Sequence, residues 1–194
     1  MNTQAMFSDR LNHGDDEALI QRCLNGDEQA WSALIERYKK LIFSIPVKLG
    51  FSREHAADVF QVVCLTLLRE LPHLREPRAL PAWLIQMTGR KCFRWAQDQR
   101  RYTGIDSELD TADKAQTLPE KMMEELEHEQ IIREAVNELS GECRRLIELL
   151  FYSSPPISYE ETAKRMGLAK GSIGATRMRC LDKLQRSLER RHIR

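Results

Sequence analysis

The sequence lacks any apolar run approaching the ~20 residues that a helix needs to cross a bilayer. Charged residues make up 30% of it, too many for a membrane protein. The first residues, Met1 to Gly14, lack the apolar stretch of a secretory signal and are expected to form a frayed polar tail. There is no glycine-rich phosphate loop, no Gly-x-Ser-x-Gly and no His-Glu-x-x-His. His13, His55, His73, His128 and His192 are scattered, and no Cys/His spacing suits zinc. No catalytic site, metal or cofactor is therefore expected, and the chain reads as a non-enzyme. The five cysteines, Cys23, Cys64, Cys92, Cys143 and Cys180, are odd in number and widely spaced. Four sit in apolar-periodic stretches, where Cys packs as a small hydrophobe. That usage points to a reducing cytoplasm. Sustained period-two alternation is also missing, and Gly and Pro fall mostly at segment ends. An all-α chain follows.

A formal net charge of +1 hides an uneven distribution. Eight Lys/Arg against three Asp/Glu lie between Arg69 and Arg101. Two Lys against nine Asp/Glu lie between Thr103 and Gln130. Ten Lys/Arg against four Asp/Glu lie between Glu160 and Arg194. Two basic segments thus flank an acidic one. They read as two polyanion-binding faces or, equally, as solvated helical surfaces.

Helix boundaries are marked by caps and breakers. A first helix starts near Asp15 or Asp16 and ends at Asn25-Gly26. Asp27 caps a second, whose stripe is Trp31, Leu34, Ile35, Tyr38, Leu41, Ile42 and Ile45, and Pro46 should kink or end it. Ser52 caps a third, running to about Leu71. It is apolar nearly all round, so it must be covered on more than one side. Pro72 to Pro77 forms a stiffened loop, and Pro81 opens a fourth helix carrying Trp83, Leu84, Met87, Phe93 and Trp95. The pattern then fails from Tyr102 to Leu118, where Gly104, Asp106, Glu108, Asp110 and Asp113 replace large apolar residues. The expected organisation is a tail over 1–14, a helical domain over 15–101, an acidic linker over 102–118 and a second small helical domain over 119–194.

Within that second domain, Ser158-Tyr159-Glu160-Glu161 has the pattern of a capping box. Gly167 can end the short helix it starts, and a longer basic helix follows from about Lys170. Ile173, Met178, Leu181, Leu184 and Leu188 form the expected buried side of that helix. This is the layout of a helix-turn-helix, whose second helix fits a DNA major groove. Lys170, Gly171, Ser172, Gly174, Ala175 and Thr176 would face the bases and phosphates, with Arg177, Arg179 and Lys183 spreading charge along the helix. An ordinary helical hairpin at the end of a bundle has the same local signals.

Several stretches carry a family resemblance. Ile157 to Ala163, Met166-Gly167-Leu168, Gly171-Ser172-Ile173 and Arg179 to Leu184 resemble the C-terminal module of bacterial sigma factors. Gly26 to Trp31, with Leu34 and Tyr38, is similar to that family's opening. Ala57 to Val62 resembles its polymerase-binding helix, and Trp83-Leu84-Ile85 followed by Arg100-Arg101 its promoter-melting helix. The nearest group is the small extracytoplasmic-function (ECF) type. The resemblance implies that Asp58, Val59, Phe60 and Gln61 meet the clamp coiled coil of core RNA polymerase. It implies that Arg75, Arg78, Trp83, Arg90, Lys91, Arg94, Arg100 and Arg101 capture the minus-ten element as a single strand. The helix-turn-helix would read the minus-thirty-five element. Core polymerase, promoter DNA and an anti-sigma factor are the implied partners, and no membrane is involved. Trp83 reads at least as readily as plain core, and the role of Trp95 stays open. The chain departs from the family at Val63-Cys64, Arg90, Gly174 and Thr176, which leaves the promoter sequence unspecified. The rival readings are a helix-turn-helix regulator that binds duplex DNA without docking on polymerase, and an interaction protein that touches no DNA.

Overall fold

A computed structural model of the chain describes residues 16–102 and 117–192, with the side chains of 100–102 and 191–192 not described. The tail expected over 1–14, most of the linker, and the Arg100 and Arg101 side chains lie outside the described residues. Every regular element among the described residues is a helix, without strands. In chain order they form α1 (Asp16–Leu24), α2 (Glu28–Lys48), α3 (Arg53–Glu70) and α4 (Leu80–Tyr102). Then follow α5 (Glu120–Glu138), α6 (Gly141–Ile147), α7 (Tyr159–Met166) and α8 (Ile173–His192). Two compact units divide the chain, one ending at His128 and the other beginning at Glu129.

In the first unit α2, α3 and α4 pack on one another, and α1 lies against α2. Asp27 starts α2: its carboxylate accepts from the N–H groups of Gln29 (2.9 Å) and Ala30 (3.0 Å). This satisfies two donors that a helix start leaves unpaired. The expected stripe of α2 is buried at Leu34, Tyr38, Leu41, Ile42 and Ile45, while Trp31 and Ile35 are partly covered. Tyr38 donates to Asp16 at 2.5 Å, and Arg37 pairs with the same carboxylate. Asp16 therefore ties α1 to α2. Pro46 does not end α2, which runs to Lys48. In the last turn the missing N–H removes only one bond, and Gly50, at φ +84°, makes the stop that follows.

The first core extends beyond the boundary expected from sequence. Leu118 and Leu126 are buried in it, and Met122 and Met123 pack against it. Leu118 covers Gly89 so closely that a Cβ at that glycine would sit 2.7 Å from the leucine Cγ. The division therefore falls inside α5 rather than at 118/119. Those four apolar positions, interleaved with acidic residues, belong to the first core.

In the second unit Val136, Leu139, Cys143, Leu146, Ile147, Ala163, Ile173 and Cys180 form the core. Arg144 closes the C-terminal end of α5 by donating to the carbonyls of Asn137 and Leu139. These carbonyls have no partner inside the helix, and a cation there also complements the helix dipole. Ser158 caps α7, accepting from the Glu161 N–H at 3.2 Å. The returning half of the capping box is replaced: Glu161 accepts from Arg165 at 2.7 Å, one turn on. That bond holds the Glu161 carboxyl below its ordinary range. Gly167 ends α7 at φ +66°, a conformation costly for any residue with a Cβ.

Candidate nucleic-acid and partner surfaces

Three surfaces collect the residues singled out from sequence. The first is on α3. Asp58 and Gln61 are exposed as a contact role requires. Val59 is not available: it is 2% exposed and part of the core, because it falls on the α3 face turned to α2 and α4. Phe60 is half-buried, its ring 6.2 Å from that of Phe43. Sequence reasoning missed Val62, Leu65 and Leu68, which are 44%, 62% and 53% exposed on one side of the helix. They are spaced three residues apart, so they share a face with Asp58 and Gln61. The signal was present, since α3 is apolar nearly all round. Only one of its sides is covered within the described residues.

The second surface lies where α4 passes α3. A groove of about 310 Å³ is lined by Trp83, Gln86, Met87, Arg90, Lys91 and Arg94 from α4, and by Thr66 and Glu70 from α3. Arg90 and Arg94 are exposed, Lys91 is half-exposed, and they lie at helical spacing along the groove. Trp83 is half-buried against the core and also lines the groove. Trp95 packs against the first core. Its ring centroid lies 5.1 Å from that of Phe51 and 4.3 Å from that of His55. Arg75 and Arg78 are exposed on the α3–α4 connection. There two short 3₁₀ turns, Leu71–His73 and Pro77–Ala79, each carry a proline near their start. Buried Leu71 and half-buried Leu74 anchor that connection to the core.

The third surface is the start of α8. Lys170 and Gly171, in a 3₁₀ turn before the helix, are exposed, as are Gly174, Ala175 and Arg179, and Ser172 is half-exposed. Thr176 is turned inward, at 7% exposure. Met178, expected inside, is 53% exposed. The inner stripe runs Ile173, Thr176, Cys180 and Ser187, with Leu181 and Leu184 partly buried. Those steps are close to one or two helical turns, and residue 178 is off that face. Thr176 tolerates burial because its hydroxyl accepts from Arg179 at 3.1 Å. Ser187 donates to Glu138 at 2.6 Å. Two of the expected DNA contacts are held by α7: Lys170 pairs with Glu160 and Arg177 donates to the Tyr159 hydroxyl, each at 2.7 Å. Both partners of the Lys170 pair are well exposed, so the pair is weak and easily exchanged for a phosphate. Lys183 belongs elsewhere, in a separate groove of about 250 Å³ with Arg186 and Arg190.

Comparison with known proteins gives a consistent set. The sigma-70 region 2 family model matches residues 34–102, the stretch from α2 to the end of α4. The chain is 25% identical over 188 residues to the RNA polymerase sigma-H factor of Pseudomonas aeruginosa, covering 92% of this chain and 96% of that protein. It is 26% identical over 183 residues to the ECF RNA polymerase sigma-E factor of Escherichia coli K12, covering 90% and 94%. Among solved structures, CnrH in complex with the cytosolic domain of CnrY aligns over 90% of this chain and 97% of that one, at 19% identity and a TM-score of 0.38.

Proposed function

We propose how the surfaces of this chain, an RNA polymerase sigma factor of the ECF type, divide the work of initiation. The α3 face docks on the clamp coiled coil of core polymerase. Val62, Leu65 and Leu68 supply the apolar contact, while Asp58 and Gln61 at its end fix register. An anti-sigma factor that covers this row would exclude polymerase by simple competition.

The α4 groove, with Arg75 and Arg78 on the connection before it, takes the minus-ten element once the strands part. The observation that carries this assignment is an indole set among three cations, Arg90, Lys91 and Arg94, in an open groove. Strand separation exposes base faces, which stack on aromatic side chains for about 1–3 kcal/mol per base, while cations follow the phosphates. Binding the single strand better than the duplex is what drives melting, because a ligand shifts an equilibrium only through its differential affinity.

Lys170, Gly171, Ser172, Gly174, Ala175, Arg177 and Arg179 present the helix-turn-helix to the minus-thirty-five major groove. Gly174 and Ala175 allow close backbone approach, and Met178 adds an apolar contact of the kind thymine methyls accept. Thr176 supports the helix from inside. The chain itself performs no bond chemistry; the polymerase does, in the cytoplasm where both meet DNA.

The test of the groove is to neutralise Arg90, Lys91 and Arg94 together as Gln. Affinity of the holoenzyme for a single-stranded minus-ten oligonucleotide is expected to fall and its salt dependence to flatten, with binding to core polymerase unchanged. Undiminished affinity with an unchanged salt slope would remove the groove from the mechanism.

A further inference from the structure

We propose that Cys143 and Cys180 are a reversible oxidation site that fastens the helix-turn-helix covalently. This goes beyond the sigma-factor reading and does not depend on it, because it is argued from the thiols alone. The two residues bring α6 and α8 together, joined as a disulfide with their Cα atoms 5.3 Å apart. That separation lies in the middle of the range a disulfide spans, so the bond closes or opens without moving the backbone. Both side chains sit inside the second core, at 4% and 1% exposure. They are 37 residues apart in sequence. The stretch they enclose contains all of α7, the Gly167 turn and the first two turns of α8, which is the whole reading element. Cys180 lies on the inner stripe with Ile173 and Thr176, away from exposed Met178 and Arg179. The bond therefore leaves the DNA-facing side untouched.

The other three cysteines are set apart from this chemistry. None is paired, and Cys23 and Cys92 are buried in the first unit. Burial pushes the Cys23 thiol up to about 11 and the Cys92 thiol to about 12, and it raises the half-buried Cys64. Burial does not separate them from Cys143 and Cys180, which are as deeply buried as Cys23 and Cys92; the difference is that each of that pair has a second sulfur within bonding distance. In a reducing compartment Cys143 and Cys180 rest as two thiols and close only under oxidant, the usual behaviour of a cytosolic disulfide.

The oxidant class is a hydroperoxide. One thiolate attacks an oxygen of the peroxide, the O–O bond breaks, and the alcohol or water fragment leaves with a proton. The sulfenic acid left behind is attacked by the second thiol. The sulfur–sulfur bond forms as the S–O bond breaks, and water leaves with the remaining proton. The sulfurs lose two electrons in all and the peroxide gains two. Exchange with a dithiol reverses the bond.

The test uses the full-length wild-type chain, reduced, freed of reductant and treated with hydrogen peroxide. Remaining thiols are then alkylated in denaturant and mapped by mass spectrometry. The expected result is joint loss of alkylation at Cys143 and Cys180, with the two peptides linked. Cys23, Cys64 and Cys92 stay unlinked, and dithiothreitol restores both sites. Hydrogen exchange of α7 is expected to slow on oxidation. Full alkylation of Cys143 and Cys180 after peroxide would overturn the proposal. So would bridges formed between chains, or linkage that leaves α7 exchange unchanged. No substituted chain is needed, so a folding failure cannot confuse the result.

Discussion

Leu65 and Leu67 are two residues apart on α3 and make opposite predictions. Leu65 is 62% exposed, and Leu67 is fully buried. Fully burying a Leu side chain is worth roughly 1.5–3 kcal/mol. A partner that covers the exposed part of Leu65 therefore gains about 1–2 kcal/mol from it, scaling that range by the exposed fraction. Leu65→Ser should weaken binding to core polymerase by roughly 5- to 30-fold. Melting of the free chain should hardly move, because the residue supports no core contact. Leu67→Ala should do the reverse. It leaves a cavity in the first core and should cost about 2–5 kcal/mol of stability, with affinity preserved in whatever fraction stays folded. The assay is a titration of labelled core polymerase with each variant, beside a calorimetric melt. Full affinity in Leu65→Ser would refute the claim that the α3 row is a docking face. A large loss of melting temperature in that variant would refute the reading of Leu65 as a residue supporting no core contact.

Two further predictions concern the frame that carries these faces. Gly167→Ala places a Cβ at φ +66° and should destabilise the second unit by about 1–2 kcal/mol, read as a lower melting temperature of that unit; an unchanged melt would mean that the turn can rearrange freely. Asp27 has its carboxyl held below the ordinary range, first by the hydrogen bond from Arg22 and then by the Ala30 N–H. A depressed acid contributes stability that is complete above its unfolded value and lost as pH falls through the folded one. Asp27→Asn, which can still cap α2, should therefore flatten the acid limb of stability against pH, and parallel acid limbs in both proteins would contradict the assignment.

What was legible in the sequence follows from periodicity and punctuation. The stripe from Leu34 to Ile45, the caps at Asp27, Ser52 and Ser158, and the stop at Gly167 each have a strong local cause. All are found where they were expected. The inner face of α8 was harder to read because three of its positions, Thr176, Cys180 and Ser187, are not strongly apolar. A reading by hydrophobicity chose Met178 instead, whereas hydrogen bonds from Arg179 and to Glu138 are what let Thr176 and Ser187 turn inward. The division between units was misplaced because Leu118, Met122, Met123 and Leu126 stand among acidic residues, and their shared destination in the first core shows only in three dimensions. The exposed row on α3 was visible only as an excess of apolar letters. Which side goes uncovered depends on how α2 and α4 pack. The pairing of Cys143 with Cys180 likewise has no signature in spacing alone.

The central claim is that this chain confers promoter choice on a polymerase that lacks it. The direct measurement is run-off transcription by purified core polymerase, with and without the full-length chain, on promoter fragments selected from genomic DNA by the reconstituted holoenzyme. The account predicts discrete start sites that require the chain and disappear when the α3 row is changed at Leu65 and Leu68. Transcripts no more abundant or defined than those from core polymerase alone, with a folded chain present in excess, would contradict it.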